Sequence, residues 1–122
     1  HDALPIYAAL GCAQMENLER YVQDKRETAG RYNGFFASIP DVTFFTEPKD
    51  CHSNYWLNVV LLKDKSTQQE FLEYTNDHGV MTRPVWELMN QLQMFKGCET
   101  DALENTSWLA DRIVNIPSSV RL

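Results

Sequence analysis

Apolar residues recur at steps of three and four from Ile6 through Leu10, Ala13, Leu18, Tyr21, Val22, Ala29, Tyr32 and Phe36. Glu16, Glu19, Arg20, Asp24, Lys25 and Glu27 fall on the other face. This spacing predicts one long amphipathic helix with Pro5 in its first turn, an interruption or bend near Gly30 and an end before Pro40. A helix of about 30 residues measures ~45 Å, more than a small domain needs for its own core. Its N-terminal part is therefore expected to pack on something outside this chain.

After Asp41 the period shortens. Val42-Thr43-Phe44-Phe45-Thr46 reads as a strand closed by Pro48, and Lys49 to Asn54 as a polar loop. Tyr55 to Leu62 is nearly continuous apolar, with Asn58 its polar exception. Such a run predicts a central strand covered on both faces, paired antiparallel with the strand before it. Ser66 and Gln69 suggest a capping box, and Phe71, Leu72 and Thr75 the inner stripe of a short helix that His78-Gly79 ends. Val80 to Arg83 reads as a third strand. Leu88 to Phe95 reads as a helical turn or two, broken at Lys96-Gly97. Thr100 or Asp101 caps a last helix whose inner face holds Trp108, Leu109 and Ile113, and Ile116 to Ser119 leaves it extended. The expected class is α+β: a long N-terminal helix and a small antiparallel three-stranded sheet covered by helices.

Within this frame the connection from Gly79 to Phe95 carries unusual chemistry. Arg83 and Pro84 are followed by Trp86, Met89, Met94 and Phe95, with Glu87 the one acid. Scattered large apolar residues are mostly packing, so on residue types alone Trp86, Met89 and Phe95 read as core filling and Arg83 as the partner of a surface acid. The other reading is a ligand loop, in which Arg83 supplies a planar fork suited to carboxylate or phosphate.

The bulk numbers narrow the field. A chain of 122 residues, 43% hydrophobic and 23% charged, is one ordinary globular unit, short for a whole metabolic enzyme. A net charge of −6 argues against nucleic-acid binding through a basic patch. No apolar run reaches the ~20 residues of a membrane span, and His1-Asp2 opens no signal peptide. Cys12, Cys51 and Cys98 form no CxxC pair or disulfide ladder, so a reducing, cytoplasmic setting is expected. The absence of a starting methionine fits a piece of something larger. Cys51-His52 lacks the partner pair of a zinc site, and His78 is explained by the helix end it closes. No phosphate loop, GxSxG elbow or HExxH occurs, so self-contained catalysis is not expected.

Four segments read together are similar to one known family: Ala8-Ala9-Leu10-Gly11-Cys12-Ala13-Gln14-Met15-Glu16, Phe71 through Val80, Thr82-Arg83-Pro84-Val85-Trp86, and Leu109 through Ser119. In this order they resemble the C-terminal part of DegT/StrS-type sugar aminotransferases, pyridoxal-phosphate enzymes that aminate keto groups on nucleotide-linked sugars. The wording of Ala8 to Gln14 and of Thr82 to Met89 resembles the branch making 4-amino-4,6-dideoxy sugars on the way to legionaminic-type sialic acids. The resemblance implies the small domain of an aspartate-aminotransferase fold, with residues 1–38 linking to an absent large domain and 39–122 forming the small α+β domain. It also implies a homodimeric whole enzyme, in which Arg83 and Trp86 face the cleft and bind substrate. The Schiff-base lysine and the main cofactor groups lie upstream in that family. Lys25, Lys49, Lys63, Lys65 and Lys96 match no Schiff-base motif, so pyridoxal 5'-phosphate is expected on the whole enzyme and not on this segment, which is expected to be inactive alone. Where the family has Asn-Tyr-Arg and an Asn-containing run, this chain has His1 to Tyr7, so contacts made there do not carry over.

The alternative from another class is a free-standing small-ligand-binding or interaction module. Such a module should bury its first helix, whereas a lobe cut from a larger enzyme should expose an apolar stripe around Ile6, Leu10 and Leu18.

Overall fold

The computed structural model describes residues 3–121. Four helices, α1 (Ala3–Glu16), α2 (Leu18–Phe36), α3 (Lys65–Asp77) and α4 (Glu104–Ala110), accompany strands β1 (Val42–Phe44), β2 (Asn58–Leu62), β3 (Arg83–Pro84) and β4 (Ile113–Ile116). The strands form one sheet in the order β1-β2-β4-β3, with every pairing antiparallel. The α+β class holds, with four strands where three were expected.

The added strand lies where a helix and a tail were read. Ile113 was placed on the inner face of the last helix, but α4 ends at Ala110. Ile113-Val114-Asn115-Ile116 then alternates half-buried and buried, and its β-branched side chains suit the pleat. Val114 faces Val60 of β2 and is fully buried with it. The best-looking strand is also shorter than its apolar run. Tyr55 has a positive φ of 46° and lies in the preceding loop, so β2 begins only at Asn58. Its burial alternates: Asn58, Val60 and Leu62 are buried, while Val59 and Leu61 are half-buried. One face is thus closed, not two.

That closed face is the core. Phe44, Val60, Leu62, Val114 and Ile116 pack with Ala29 and Phe36 of α2, and Phe71 and Leu72 of α3 lie against them. Phe36 and Phe44 stack nearly parallel at 6.4 Å between centroids. Burying each fully covered valine contributes about 1.5–3 kcal/mol relative to exposure. The other sheet face is open over Phe45, Val59 and Asn115, with α4 reaching only its Ile113 end, and it is where the candidate site lies.

The long helix breaks at Asn17 and runs through Gly30 without interruption. Asn17 donates Nδ2 back to the Ala13 carbonyl at 2.9 Å, while its own N–H turns to Gln14 O at 3.1 Å, a tighter turn than α-helix. The amphipathic pattern belongs to α2 alone. α1 is apolar nearly all round, with Glu16 its only charge, and its side chains lie in solvent: Ile6 is 69%, Leu10 56% and Met15 66% exposed. Helices of that composition are normally buried.

Two caps also differ from expectation. α3 is opened by Asp64, whose carboxylate accepts the Thr67 N–H at 2.9 Å, and Ser66 instead contacts Glu70. An aspartate at that position outcompetes the predicted serine box, because a charged acceptor binds the free helix N–H groups more strongly. α4 begins after Leu103, held left-handed at φ 49°, with Asp101 accepting the Leu103 N–H rather than capping the helix itself. The turns at Met89–Gln91 and Gln93–Phe95 are 3-10, where a helical turn or two was read.

Candidate functional site

Arg83 is placed by what precedes it. α3 closes at His78, and Gly79 adopts φ +76°, the left-handed conformation that a side chain disfavours. Val80 N–H then reaches Thr75 O at 2.8 Å and Gly79 N–H reaches Asn76 O at 3.0 Å, which satisfies the last helix carbonyls. Thr82, almost fully buried, locks the exit. Its hydroxyl lies 2.6 Å from Thr75 Oγ1 and accepts from Asn76 Nδ2 at 3.0 Å, and the same amide reaches its carbonyl at 3.1 Å. Arg83 then enters β3 opposite Asn115.

Register carries Arg83 onto the open face. Arg83 pairs with Asn115 and Asn115 with Val59, while Phe45 N–H reaches Val59 O at 2.9 Å. The four residues form a row across the sheet on the side away from α2 and α3. Asn115 donates Nδ2 to Pro84 O at 3.1 Å, fixing the start of the loop that carries Trp86.

Arg83 and Trp86 line the same cavity, of about 730 Å³, with Lys25, Trp56, Met81 and Ser118 also in its wall. A neighbouring hollow of about 380 Å³ opens on the other side of Trp86, over Phe45, Val59 and Ile113. The larger cavity's wall holds two cations, Lys25 and Arg83, and no carboxylate. The Arg83 guanidinium has one polar contact among the described residues, the weakly accepting Met81 sulfur at 3.4 Å. It has no acid partner there, so the surface-pair reading does not hold in this lobe. Trp86 and Met89 do not fill the core of this lobe, at 71% and 63% exposed, whereas Phe95 is half-buried.

A clamp on α2 shapes the rim of the smaller hollow, which Glu47 and Ser53 line. Arg26 grips both oxygens of Glu47, at 2.6 and 2.9 Å, and donates to the Ser53 carbonyl at 2.6 Å. Glu47 also accepts the Ser53 N–H at 2.6 Å. These bonds, the Arg26 fork first, pull the Glu47 carboxyl from 4.5 to about 2. Lys25, next along the helix, donates to the carbonyls of Ser118 at 2.5 Å and Trp56 at 3.2 Å.

The sequence reading named Arg83 and Trp86, and the fold brings both to one wall. It missed Lys25, taken for a solvated helix charge, and Trp56, taken for a strand residue. Ser118 was visible only as part of the last similar segment. The three cysteines are unpaired and exposed, and His78 stacks on Tyr74 at 4.1 Å at the helix end, outside the cavity. Among the described residues no group of His, Cys, Asp and Glu is arranged to hold a metal, and no helix is long and apolar enough to cross a membrane.

Comparison with known proteins matches residues 5–122 to the DegT/DnrJ/EryC1/StrS aminotransferase family. A GDP-perosamine synthase of Escherichia coli O157:H7 is 30% identical over 115 residues, covering 93% of this chain and 30% of that protein. A GDP-perosamine synthase of Vibrio cholerae is 24% identical over 114 residues, covering 91% of this chain and 31% of that protein. Among solved structures, the aminotransferase TlmJ from Streptoalloteichus hindustanus superposes with a TM-score of 0.83 at 22% identity, covering 92% of this chain and 30% of that one. Helicobacter pylori PseC, an aminotransferase involved in the biosynthesis of pseudoaminic acid, gives 0.81 at 20% identity, covering 91% of this chain and 31% of that one. These structures share the fold. The chain spans under a third of the length of each of these proteins.

Proposed function

The chain belongs to the DegT/DnrJ/EryC1/StrS aminotransferase family, and from that premise we propose that it is the C-terminal lobe of a pyridoxal-phosphate-dependent aminotransferase acting on a nucleotide-linked keto sugar. Residues 1–38 link the lobe to a large domain outside this chain, with α2 also roofing the sheet, and residues 39–122 wall the substrate cleft. The observation that carries this reading is α1: an almost wholly apolar helix lying in solvent, with Ile6 69% and Leu10 56% exposed, and Leu18 at the start of α2 46% exposed beside it. A free-standing module would bury such a helix, so its occupant is the missing large domain.

Arg83 receives an anionic group, the amino donor's carboxylate or the sugar nucleotide's phosphate, and Trp86 shapes the sugar pocket. Support comes from the shared cavity, the absence of any carboxylate in its wall among the described residues and a guanidinium fork whose one polar contact there is the Met81 sulfur. The relatives named GDP-perosamine synthase support a sugar-nucleotide substrate. The finer assignment, to the branch leading to legionaminic-type sugars, rests on the wording of Ala8–Gln14 and Thr82–Met89. The whole enzyme is a cytoplasmic homodimer in this reading.

Pyridoxal phosphate supplies the amino-group transfer chemistry of such an enzyme, but the residues of this chain do not fit a covalent site for it. Lys25 alone of the lysines borders the cavity, and its ammonium is engaged by two carbonyls. Lys65 pairs with Asp111 at 2.9 Å, away from it. The cofactor is therefore held by polypeptide outside this chain, and the lobe alone does not turn over. Replacing Arg83 with Lys in the full-length protein should raise the Michaelis constant for one substrate about tenfold, since a point charge replaces a bidentate fork whose hydrogen bonds contribute ~1.5–3 kcal/mol. Unchanged kinetics would remove Arg83 from the site.

A further inference from the structure

Lys25 and Arg26 are successive residues of α2, and together they fix the loop leading into β2. Arg26 holds it at Glu47 and Ser53, and Lys25 holds it at the Trp56 carbonyl while also grasping Ser118 beyond β4. Lys25 has no carboxylate partner among the described residues, so its ammonium serves two backbone carbonyls. The consequence is the position of an indole. Trp56 lies 6.3 Å from Trp86 between ring centroids, tilted by 34°, and the two are 67% and 71% exposed. At that spacing the rings touch each other, so a ligand lies across the pair instead of between them. Two large indoles side by side in solvent, next to a guanidinium with no acid partner among the described residues and a second cation, make a floor for a flat ring joined to an anion.

We propose that Trp56 is a specificity-determining residue of this cavity, that Lys25 is the residue positioning it, and that the ligand is the nucleoside diphosphate portion of the substrate. The base lies over the Trp56–Trp86 floor, and the diphosphate meets Arg83, with the Lys25 charge behind it. This rests on the reading of Arg83 and Trp86 as a substrate wall, and it chooses phosphate over the amino donor's carboxylate as the anion at Arg83. The charge of the wall favours that choice, because a diphosphate matches two cations with no opposing acid.

The test is calorimetric titration of the full-length enzyme with uridine diphosphate, guanosine diphosphate and inorganic diphosphate, alongside steady-state kinetics. Trp56→Leu should weaken both nucleoside diphosphates about tenfold, as one lost stacking platform implies, and leave inorganic diphosphate unchanged. Lys25→Met removes a charge as well as the hold on Trp56, so it should weaken inorganic diphosphate and weaken the nucleoside diphosphates by more, and Lys25→Arg should recover at least half of both losses by keeping the charge and offering N–H groups to the same carbonyls. In turnover the loss should fall on the KM for the sugar nucleotide, with kcat moving less than about twofold. Trp56→Leu leaving nucleoside diphosphate affinity unchanged, or weakening inorganic diphosphate equally, overturns the proposal. So does a Lys25→Met enzyme with normal affinity. If Lys25→Met does not fold, the exposed Trp56 variant decides alone. An enzyme that turns over a sugar nucleotide while ignoring Trp56→Leu sinks this inference and spares the aminotransferase reading; a full-length protein with no such turnover sinks the reading itself.

Discussion

Thr82 is the point at which stability and the site meet, and replacing it with valine keeps its shape while removing its hydroxyl. The Thr75 hydroxyl donates to Phe71 O at 2.7 Å, so across the 2.6 Å contact Thr82 is the donor and Thr75 the acceptor. Thr82 in turn accepts from Asn76 Nδ2. Thr82→Val therefore deletes two hydrogen bonds at a site only 4% exposed. Neither partner is orphaned, since Thr75 keeps Phe71 O and Asn76 keeps Leu72 O at 2.7 Å. The cost is then two ordinary bonds at about 0.5–1.5 kcal/mol each, partly offset by the buried methyl: about 1–2 kcal/mol. With a urea m-value of about 1–3 kcal/mol/M, the midpoint should fall by roughly 0.5–1 M. Combining it with Thr75→Val should give a coupling of at least ~0.5 kcal/mol, because the residues touch. An unchanged midpoint, or strict additivity of the pair, would refute the claim that this network holds the turn presenting Arg83.

Acid should loosen the rim of the smaller hollow, which Glu47 lines. Glu47 is depressed to about 2 by Arg26 and the Ser53 N–H, so its stabilisation is complete above its ordinary 4.5 and is lost as pH falls through 2. A pH titration of the urea midpoint should show that loss, and Arg26→Met should flatten it; an identical acid limb in the variant would contradict the clamp. Asn58 is 1% exposed, and neither its side-chain oxygen nor its side-chain nitrogen has a partner among the described residues. Asn58→Leu should raise stability by about 1–2 kcal/mol in a thermal melt, and a lower midpoint would mean the amide is bonded after all.

Periodicity in the sequence located most of the elements, because each buried stripe was local. β1, β2, α3 and the Gly79 turn follow from runs and caps within a few residues of one another. What periodicity missed depended on distant partners. Ile113 to Ile116 alternates too briefly to outrank the helix before it, and becomes a strand because Val114 and Ile116 complete the layer beside Val60 and Asn58. The break at Asn17 turns on one side chain choosing the Ala13 carbonyl. For the site, Arg83 and Trp86 stood out as a forked cation near large apolar groups. Lys25 and Trp56 did not, since 31 residues separate the Lys25 ammonium from the carbonyl it holds. An ammonium bound to carbonyls looks, in sequence, like any solvated helix charge.

The central claim is that α1 belongs against polypeptide outside these 122 residues. Hydrogen exchange over Ile6–Leu18, compared between the 122-residue chain and the full-length protein, tests it most directly. A 14-residue helix with no packed face is marginal in water. The account predicts rapid exchange of its amides in the short chain, with β2 and β4 protected, and strong protection of the same amides at full length. Equal exchange in both would contradict it.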